Sequence, residues 1–370
     1  MIGSAKPLVK FLDGSSTRFI IPVYQRNYDW KIVNCTQLFD DLIKVVKTPN
    51  RDSHFFGSVV SVANIQGASS EMLIIDGQQR ITTISLLFLA LVNLLKDGRV
   101  ESEKTYLADQ IQNTYLIDPY EPEEKKVKLK PIKDDQDAFL KLFGDKEEYN
   151  MTSNVTQNYM YFYNRIQKGE LTPEEIFNAI CSLVIIDISL DPTKDDAQLI
   201  FESLNSTGLD LSEGDKIRNF ILMGLDSDKQ ERYYNKYWNK IEKDTDYQVS
   251  DYVRHYLTIS LGRTPAIKEV YSCFKSYVEK NKFETEELLL NMVKYAKYYK
   301  NSSTNVYKAN IVLSRLNVLD MSVSIPYLMG LWEYRENVGM IDTEFVEVLT
   351  VIETYIFRRM ICGVPTNALN

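Results

Sequence analysis

The chain has 370 residues, too many for one small core, so we expect two or three domains. Hydrophobic residues make up 44% of it and charged residues 25%, as in a soluble globular protein, and no apolar run looks long enough to span a membrane, which favours a cytoplasmic location. The formal net charge of −8 argues against a broad nucleic-acid-binding face but allows a local basic groove.

The first part of the chain mixes strand-like and helix-like segments. Apolar runs predict strands at 18–21, 55–62, 72–75 and 183–190, and helical spacing predicts helices at 37–47, 84–95, 134–143, 155–167, 173–181 and 195–204. The stretch from about 97 to 180 reads as a helical insertion, and its charge run at 121–130 is predicted to be a solvated loop. These segments predict a mixed α/β domain over residues 1–225.

From residue 226 onward every segment has the pattern of a helix, which predicts an all-helical domain over 226–370. The predicted helices span 229–243, 249–261, 267–280, 284–300, 306–318, 322–335 and 342–362. Tyr295, Tyr298 and Tyr299 could suggest base stacking, but their helical spacing is more typical of packing residues. The patterning fits contact with DNA, packing against a nuclease domain, or a homodimer interface.

The most informative segment, residues 74–83, joins a buried-looking strand to a helix through a polar turn. Backbone N–H groups and the helix dipole at such a junction face a bound anion, and Arg80 adds a planar cation suited to phosphate. The segment matches neither a Walker A loop nor a G-x-G-x-x-G turn, since Gly77 is its only glycine. It therefore reads either as an anion site or as a polar turn capped by Asp76.

A second polar cluster follows the strand predicted at 183–190. A helix is expected to begin after Ser212, with Ser212 as its N-cap and Asp215 three residues later. Capping does not account for the other polar residues of this cluster, Glu202, Asn205, Lys216, Arg218 and Asn219. Because cations at a helix start oppose the dipole, the cluster departs from a local rule and is a candidate functional site.

Four motifs occur in a fixed order along the chain. They are IPVYQRNYDW at 21–30, FGSV at 56–59, DGQQRITT at 76–83, and FESLNSTGLDLS at 201–212 with DKIRN at 215–219. In this order they resemble the N-terminal domain of the GmrSD-type (DGQQR-motif) modification-dependent restriction endonucleases, to which several phage-defence proteins are similar. Residues 357–367 also resemble the exit segment of that family, which in many members precedes a C-terminal HNH nuclease domain.

The resemblance implies a ParB/sulfiredoxin-like α/β core that binds and often hydrolyses a nucleoside triphosphate with Mg²⁺. The fold class expected is thus α+β, with this core at 1–225 followed by the all-helical domain. The nucleotide, GTP, UTP, CTP or ATP, is not resolved by the sequence. The implied partners are DNA, in particular modified phage DNA, and an HNH nuclease domain in cis or in trans; no membrane partner is implied.

The resemblance also implies roles for the residues of the DGQQR segment. Arg80 and the turn at Gly77 would hold phosphates, and Thr82 and Thr83 would donate hydrogen bonds from the helix start. Gln78 or Gln79 would orient the attacking water, as a glutamine does in other NTPases.

The other motifs would complete the same pocket. Tyr24, Gln25 and Arg26 would line it, because a strand end facing phosphate benefits from arginine. Asp76 would ligate Mg²⁺ or cap the helix, with Glu202 or Asp215 as a second metal ligand. The remaining pocket residues implied by the resemblance, which would close the site from the other side, are Asn205 and Lys216.

The chain lacks the residues of an HNH nuclease. Its two histidines, His54 and His255, are isolated, and its four cysteines are scattered without a CxxC pair, which indicates reduced thiols rather than a zinc site. His54 is expected at a strand edge and His255 in helix packing. The stop at Asn370, straight after the exit motif, favours a piece of a longer protein whose nuclease domain follows.

Two functional classes stay open at this point. In the first, the chain is an NTP-hydrolysing sensor and switch of a restriction endonuclease. In the second, it is a ParB-like Mg²⁺-dependent nuclease or DNA-binding module, in which Asp76, Glu202 and Asp215 gather the metal for phosphodiester cleavage. The acidic balance of the chain favours the first class.

Overall fold

A computed structural model of the chain describes residues 1–48, 53–66, 69–205, 211–300, 304–319 and 322–364, except for the side chains at 66, 133, 204 and 205. The chain divides into two compact units, Met1–Gly208 and Leu209–Asn370. The first contains a mixed sheet with helices, and the described part of the second is helical. The predicted α+β class is therefore confirmed.

The first unit is built on a six-stranded mixed sheet. Its strands are β1 (Ile2–Pro7), β2 (Thr17–Ile20), β3 (His54–Gln66), β4 (Ser69–Asp76), β5 (Leu129–Lys130) and β6 (Leu183–Leu190). Their order across the sheet is β1-β6-β3-β4-β2-β5, with β1/β6 and β3/β4 antiparallel and the other pairs parallel. All four strands predicted from apolar runs are confirmed, as β2, β3, β4 and β6.

Eight helices accompany the sheet in the described part of this unit. They are α1 (Leu8–Leu12), α2 (Ile32–Lys47), α3 (Gln78–Lys96), α4 (Leu107–Ile111), α5 (Lys133–Lys141), α6 (Asn154–Ile166), α7 (Pro173–Cys181) and α8 (Ala197–Asn205). The helices predicted in this part of the chain are therefore confirmed, whereas β1, α1 and α4 were not predicted. The helix stop predicted just after α8 lies outside the described residues.

The central helix of the first unit is α3. Every residue from 81 to 92 is buried, as expected for a helix that is apolar on all sides. Contrary to the expectation from the sequence, α3 is long and apolar enough to cross a membrane by length and composition, but 83% of its most apolar window is buried inside the protein. That burial is what the core helix of a folded domain shows.

The charge run at 121–130 is only partly the solvated loop that was predicted. Residues 122–125 are exposed, but Lys128 is 3% exposed and its Nζ donates to the carbonyl oxygens of Gly14 and Thr114, both at 2.6 Å. The run then ends in β5, which pairs with β2. Main-chain acceptors thus compensate a buried ammonium that the charge pattern alone placed in solvent.

The second unit is helical throughout its described residues. Its helices are α9 (Glu213–Leu222), α10 (Ser227–Tyr233), α11 (Asn239–Asp244), α12 (Val249–Leu261), α13 (Val270–Asn281), α14 (Thr285–Lys300), α15 (Tyr307–Val318), α16 (Ile325–Val338) and α17 (Asp342–Ile361). Helix α9, counted with the first domain in the sequence analysis, lies in this unit. Tyr295 and Tyr298 are buried and in ring contact, which confirms their prediction as packing residues.

Candidate functional site

Three of the sequence motifs meet at one edge of the sheet. Strands β2 and β4 are parallel neighbours, so the segments that follow them, 21–30 and 76–83, leave the sheet at the same edge. Strand β3 runs antiparallel to β4, with Val60 opposite Asp76, which brings the start of β3 to that edge as well. Sheet topology thus gathers motifs that are far apart in the sequence, at the carboxyl ends of parallel strands where α/β proteins place ligands.

Side-chain amides join the first of these segments to the end of β4. Gln25, 3% exposed, donates from Nε2 to the carbonyl oxygen of Ile75 at 2.8 Å. Gln78 in turn donates from Nε2 to Oε1 of Gln25 at 3.3 Å. Tyr24 is also buried, and burial raises the pKa of its phenol, so the hydroxyl stays neutral. The predicted neighbourhood of Tyr24 and Gln25 with the DGQQR segment is present in the fold.

Gln79 holds the 21–30 segment in place with both ends of its amide. Its Oε1 accepts hydrogen bonds from the backbone N–H groups of Asp29, at 2.9 Å, and Trp30, at 3.1 Å. Its Nε2 donates to the carbonyl oxygen of Asn27 at 3.2 Å. A carboxamide satisfies two donors and one acceptor at once, which explains why this residue type is needed here.

Thr83 and Tyr28 extend the same network into the core. The Thr83 hydroxyl is fully buried and donates to the carbonyl oxygen of Gln79 at 2.7 Å, and the Tyr28 hydroxyl lies 2.7 Å from it. Asn158 donates to the Tyr28 hydroxyl at 3.0 Å, and Asp135 accepts from the Tyr28 backbone N–H at 2.6 Å. Thr83 therefore lies in the interior, and Thr82, which is 3% exposed, is buried too.

The charged residues of the site are more accessible than its amides. The Arg80 side chain is 31% exposed and that of Asp76 28%, and the two approach to 3.9 Å. Arg80 also donates from its terminal nitrogen to the carbonyl oxygen of Ser58 at 3.1 Å. Burial raises the pKa of Asp76, although the Arg80 charge, the Gly77 N–H and the Arg26 charge oppose the shift. Two cations therefore act on one carboxylate here.

Two glycines make room for this arrangement. Gly77 occupies the N-cap of α3 with a φ of +98°, and a Cβ there would lie 3.0 Å from Val59 and 3.1 Å from the carbonyl oxygen of Ser58. The helix cap is therefore Gly77 and not Asp76, whose carboxylate accepts the N–H of Gly77 instead. Gly57 has a φ of +117°, and a Cβ there would lie 2.6 Å from Nε of Arg80.

Gly57 has no predicted role in the sequence analysis, although the motif that contains it was identified. The only signal was its place in FGSV, a short apolar stretch without chemistry of its own. Its effect on Arg80 depends on the pairing of β3 with β4, which brings residues 23 positions apart into contact. Asp135 and Asn158 were missed for the same reason.

The polar cluster after β6 is divided between the two units. Glu202, on α8 in the first unit, accepts from Nε2 of Gln198 at 3.0 Å, one turn earlier in the helix. The side chain of Asn205 is outside the described residues. In the second unit Ser212 is the N-cap of α9, as predicted, because its Oγ accepts from the backbone N–H of Asp215 at 3.1 Å.

The other charged residues at the start of α9 are paired. Arg218 donates to Asp215 at 2.7 Å and to the buried Glu242 at 2.6 Å, and Lys216 lies 2.8 Å from Glu213. Among the residues that the structure describes, no group of three or more His, Cys, Asp or Glu side chains is arranged to hold a metal ion. The metal-ligand roles of Asp76, Glu202 and Asp215 stay predictions.

Comparison with known proteins identifies the family. The family model of the GmrSD restriction endonuclease N-terminal domain matches residues 8–222, more than half of the chain. The chain belongs to this family. The GmrSD match contains all three motifs of the sheet edge and the cluster at 201–219. No curated protein matches the chain. The chain is thus a member of a restriction endonuclease and phage-defence family that acts on DNA.

Proposed function

We propose that this chain is the nucleotide-binding, NTP-hydrolysing sensor and regulatory part of an anti-phage DNA restriction endonuclease. The observation that carries the proposal is the placement of Arg80 and Arg26 around Asp76, at the sheet edge where α3 begins. Membership in the GmrSD family supplies the restriction context.

The arrangement suits a phosphate group for three physical reasons. Guanidinium groups bind phosphate in a planar, two-pronged geometry, and Arg80 is partly exposed. The N-terminus of α3, a helix of 19 residues, adds its dipole and first-turn N–H groups. The glycines at 57 and 77 remove the side chains that would fill the space beside Arg80 and the turn.

The contacts refine the roles within the motif. We assign Gln79 as a positioning residue, because its amide already binds three backbone groups of the 21–30 segment. Gln78 is then the better candidate for orienting the attacking water. Thr83 supports the same segment through Tyr28, while Arg80 and Arg26 hold the phosphates.

A magnesium ion would neutralise phosphate charge and orient the leaving group. Asp76 is the carboxylate at the sheet edge that would hold it, since it is partly exposed and lies beside the proposed phosphate position. Glu202 or Asp215 as a second ligand, Asn205 and Lys216 as closing residues, and the cytoplasmic location are parts of the same proposal. So are modified phage DNA, an HNH nuclease domain and a homodimer as partners.

The first test is isothermal titration calorimetry of the chain with each NTP and Mg²⁺, comparing Arg80→Ala with the wild type. Loss of a charge-assisted phosphate contact should weaken binding by about a hundredfold or more. Arg99→Ala, which removes an exposed arginine after α3, serves as the matched control and should bind as the wild type does. Equal affinity of Arg80→Ala and wild type would refute the phosphate assignment.

A second test separates the switch from the alternative, a ParB-like nuclease that acts on DNA directly. The protein is incubated with NTP, Mg²⁺ and supercoiled plasmid, and phosphate release and plasmid nicking are measured together. Phosphate release without nicking supports the regulatory role. Nicking without NTP consumption would overturn it in favour of the nuclease.

A further inference from the structure

The second unit contains a cavity of about 700 Å³ that plays no part in the site described above. It is lined by residues of α14 and α16 and by the turn that follows α16. Its volume lies within the range of pockets that enclose small organic ligands. The lining combines apolar side chains with two aromatic rings, those of Tyr298 and Trp332.

The charges on the lining are mainly positive, although the chain as a whole is acidic. Lys294, Lys297 and Arg335 line the cavity, against a single lining carboxylate, Glu336, which accepts a hydrogen bond from the Tyr298 hydroxyl. Carboxylates outside the lining pair with two of these cations: Glu333 with Lys294 at 3.2 Å, and Asp342 with Arg335 at 2.6 Å. Lys297 is exposed and adds its charge to the cavity.

Two hydrogen-bond donors on the lining residues lack an acceptor. Nε1 of Trp332 and one terminal nitrogen of Arg335 are buried and have no hydrogen-bond partner among the described residues. An unpaired buried donor costs about 1–3 kcal/mol. Both groups can only donate, so a ligand that satisfies them must bring acceptor atoms.

We propose that this cavity binds a nucleotide, an aromatic base carrying a phosphate, taken either free from solution or as part of a nucleic-acid strand. The aromatic and apolar lining suits a flat base, which stacks on rings. The guanidinium and ammonium groups suit the phosphate, and Trp332 offers its N–H to an acceptor on the ligand. The proposal is independent of the nucleotide site in the first unit, since the two share no residue.

The indole N–H signals of the protein give a direct readout of this cavity. The chain has three tryptophans, so ¹H–¹⁵N spectra of the full chain contain three indole signals, and Trp332→Phe identifies the one that belongs to residue 332. The Arg80→Ala background is used so that the first site contributes little. Thymidine 5′-monophosphate and a twelve-residue oligothymidylate are the two probes.

A saturable shift of the Trp332 signal, with the other two indole signals unchanged, is the expected result. Equal affinity for both probes indicates a free nucleotide, and at least tenfold tighter binding of the oligonucleotide indicates a strand. No shift with either probe at millimolar concentration would overturn the proposal. Because the Arg80→Ala background removes the proposed phosphate contact of the first unit, failure here leaves the function proposed for that unit standing.

Charge reversal supplies the second arm of the test. Lys297→Glu, at an exposed position on the lining, should weaken binding about tenfold or more. Lys308→Glu changes the net charge equally at an exposed position of α15 away from the lining, and should bind as the parent protein does. Equal weakening by the two substitutions would mean that general charge and not this cavity governs binding, and would also overturn the proposal.

Discussion

At the scale of single residues, the site depends on groups whose chemistry is fixed by their neighbours. Gln79 has the residue type of a water-orienting glutamine, but its amide is fully engaged by the backbone of 27–30. Gly57 carries no functional group, yet it sets where the Arg80 guanidinium lies. The sequence identified the motif residues, but which of them face a ligand depends on contacts with other segments.

Gly57→Ala tests this steric role. A Cβ at 2.6 Å from Nε would displace the Arg80 guanidinium, so we expect nucleotide affinity to fall about tenfold or more, measured by titration calorimetry. Some stability is also lost, because alanine is strained at a φ of +117°.

Gly98→Ala is the matched control for that substitution. Gly98 also has a positive φ, of +63°, but a Cβ there meets no atom within 4 Å. We expect it to cost stability without changing nucleotide affinity. Unchanged affinity in a folded Gly57→Ala protein would show that the position of Arg80 does not depend on this glycine.

At the scale of elements, the segment 21–30 is held by three helices. Gln79 and Thr83 of α3, Asn158 of α6 and Asp135 of α5 all bind it or its Tyr28 side chain. Asp135 is 8% exposed, and burial raises its pKa to about 6. An ionised carboxylate is thus held in the interior at neutral pH to anchor this segment.

Asp135→Asn should stabilise the protein at high pH. The folded-state pKa of about 6 exceeds the model value of 3.8, so the folded state binds the proton more tightly and stability falls as pH rises from about 4 to 6. Asparagine keeps an acceptor for the Tyr28 N–H without the charge. We expect the free energy of unfolding at about pH 8 to rise by about 2 kcal/mol, with little change near pH 4.

Urea unfolding of the full chain at the two pH values provides the measurement. Asp137→Asn, on the exposed side of the same helix where Asp137 pairs with Lys141, is the control and should not show this pH dependence. A loss of stability at both pH values in Asp135→Asn would mean that the carboxylate charge itself anchors the segment.

At the scale of the whole molecule, the two units contain buried titratable groups of opposite effect. In the second unit, His255 is 6% exposed, its Nδ1 has no hydrogen-bond partner among the described residues, and burial lowers its pKa to about 4. The Arg254 charge lowers this pKa further, and Asp251 opposes it. The expected packing role of His255 is confirmed by its burial and its ring contact with Tyr299.

The second unit should therefore lose stability in mild acid. Since the folded-state pKa lies below the ordinary 6.5, the stability that neutral His255 contributes is lost as pH falls from about 6.5 to 4. His255→Phe should remove up to about 3 kcal/mol of that loss. Hydrogen exchange of buried amides in α12, corrected for intrinsic rates, measures it. His54→Gln, at the other histidine, should leave the loss in place; if His255→Phe does so as well, this assignment fails.

The sequence by itself determined most of the elements and the family. Period-2 and period-3.6 apolar patterns are local, so strands β2, β3, β4 and β6 and the helices of the second unit could be read from them. The order of the four motifs is also a property of the sequence alone, and it agrees with the family match over 8–222.

Only the tertiary structure decided which polar residues share a site. The parallel pairing of β2 with β4, and the antiparallel pairing of β3 with β4, bring Gln25, Gly57 and Arg80 to one sheet edge. These pairings join residues 20 to 60 positions apart, and no local pattern encodes them. They also divide the motif residues into those whose hydrogen bonds are used within the fold, such as Gln79 and Thr83, and those that stay partly exposed, such as Asp76 and Arg80.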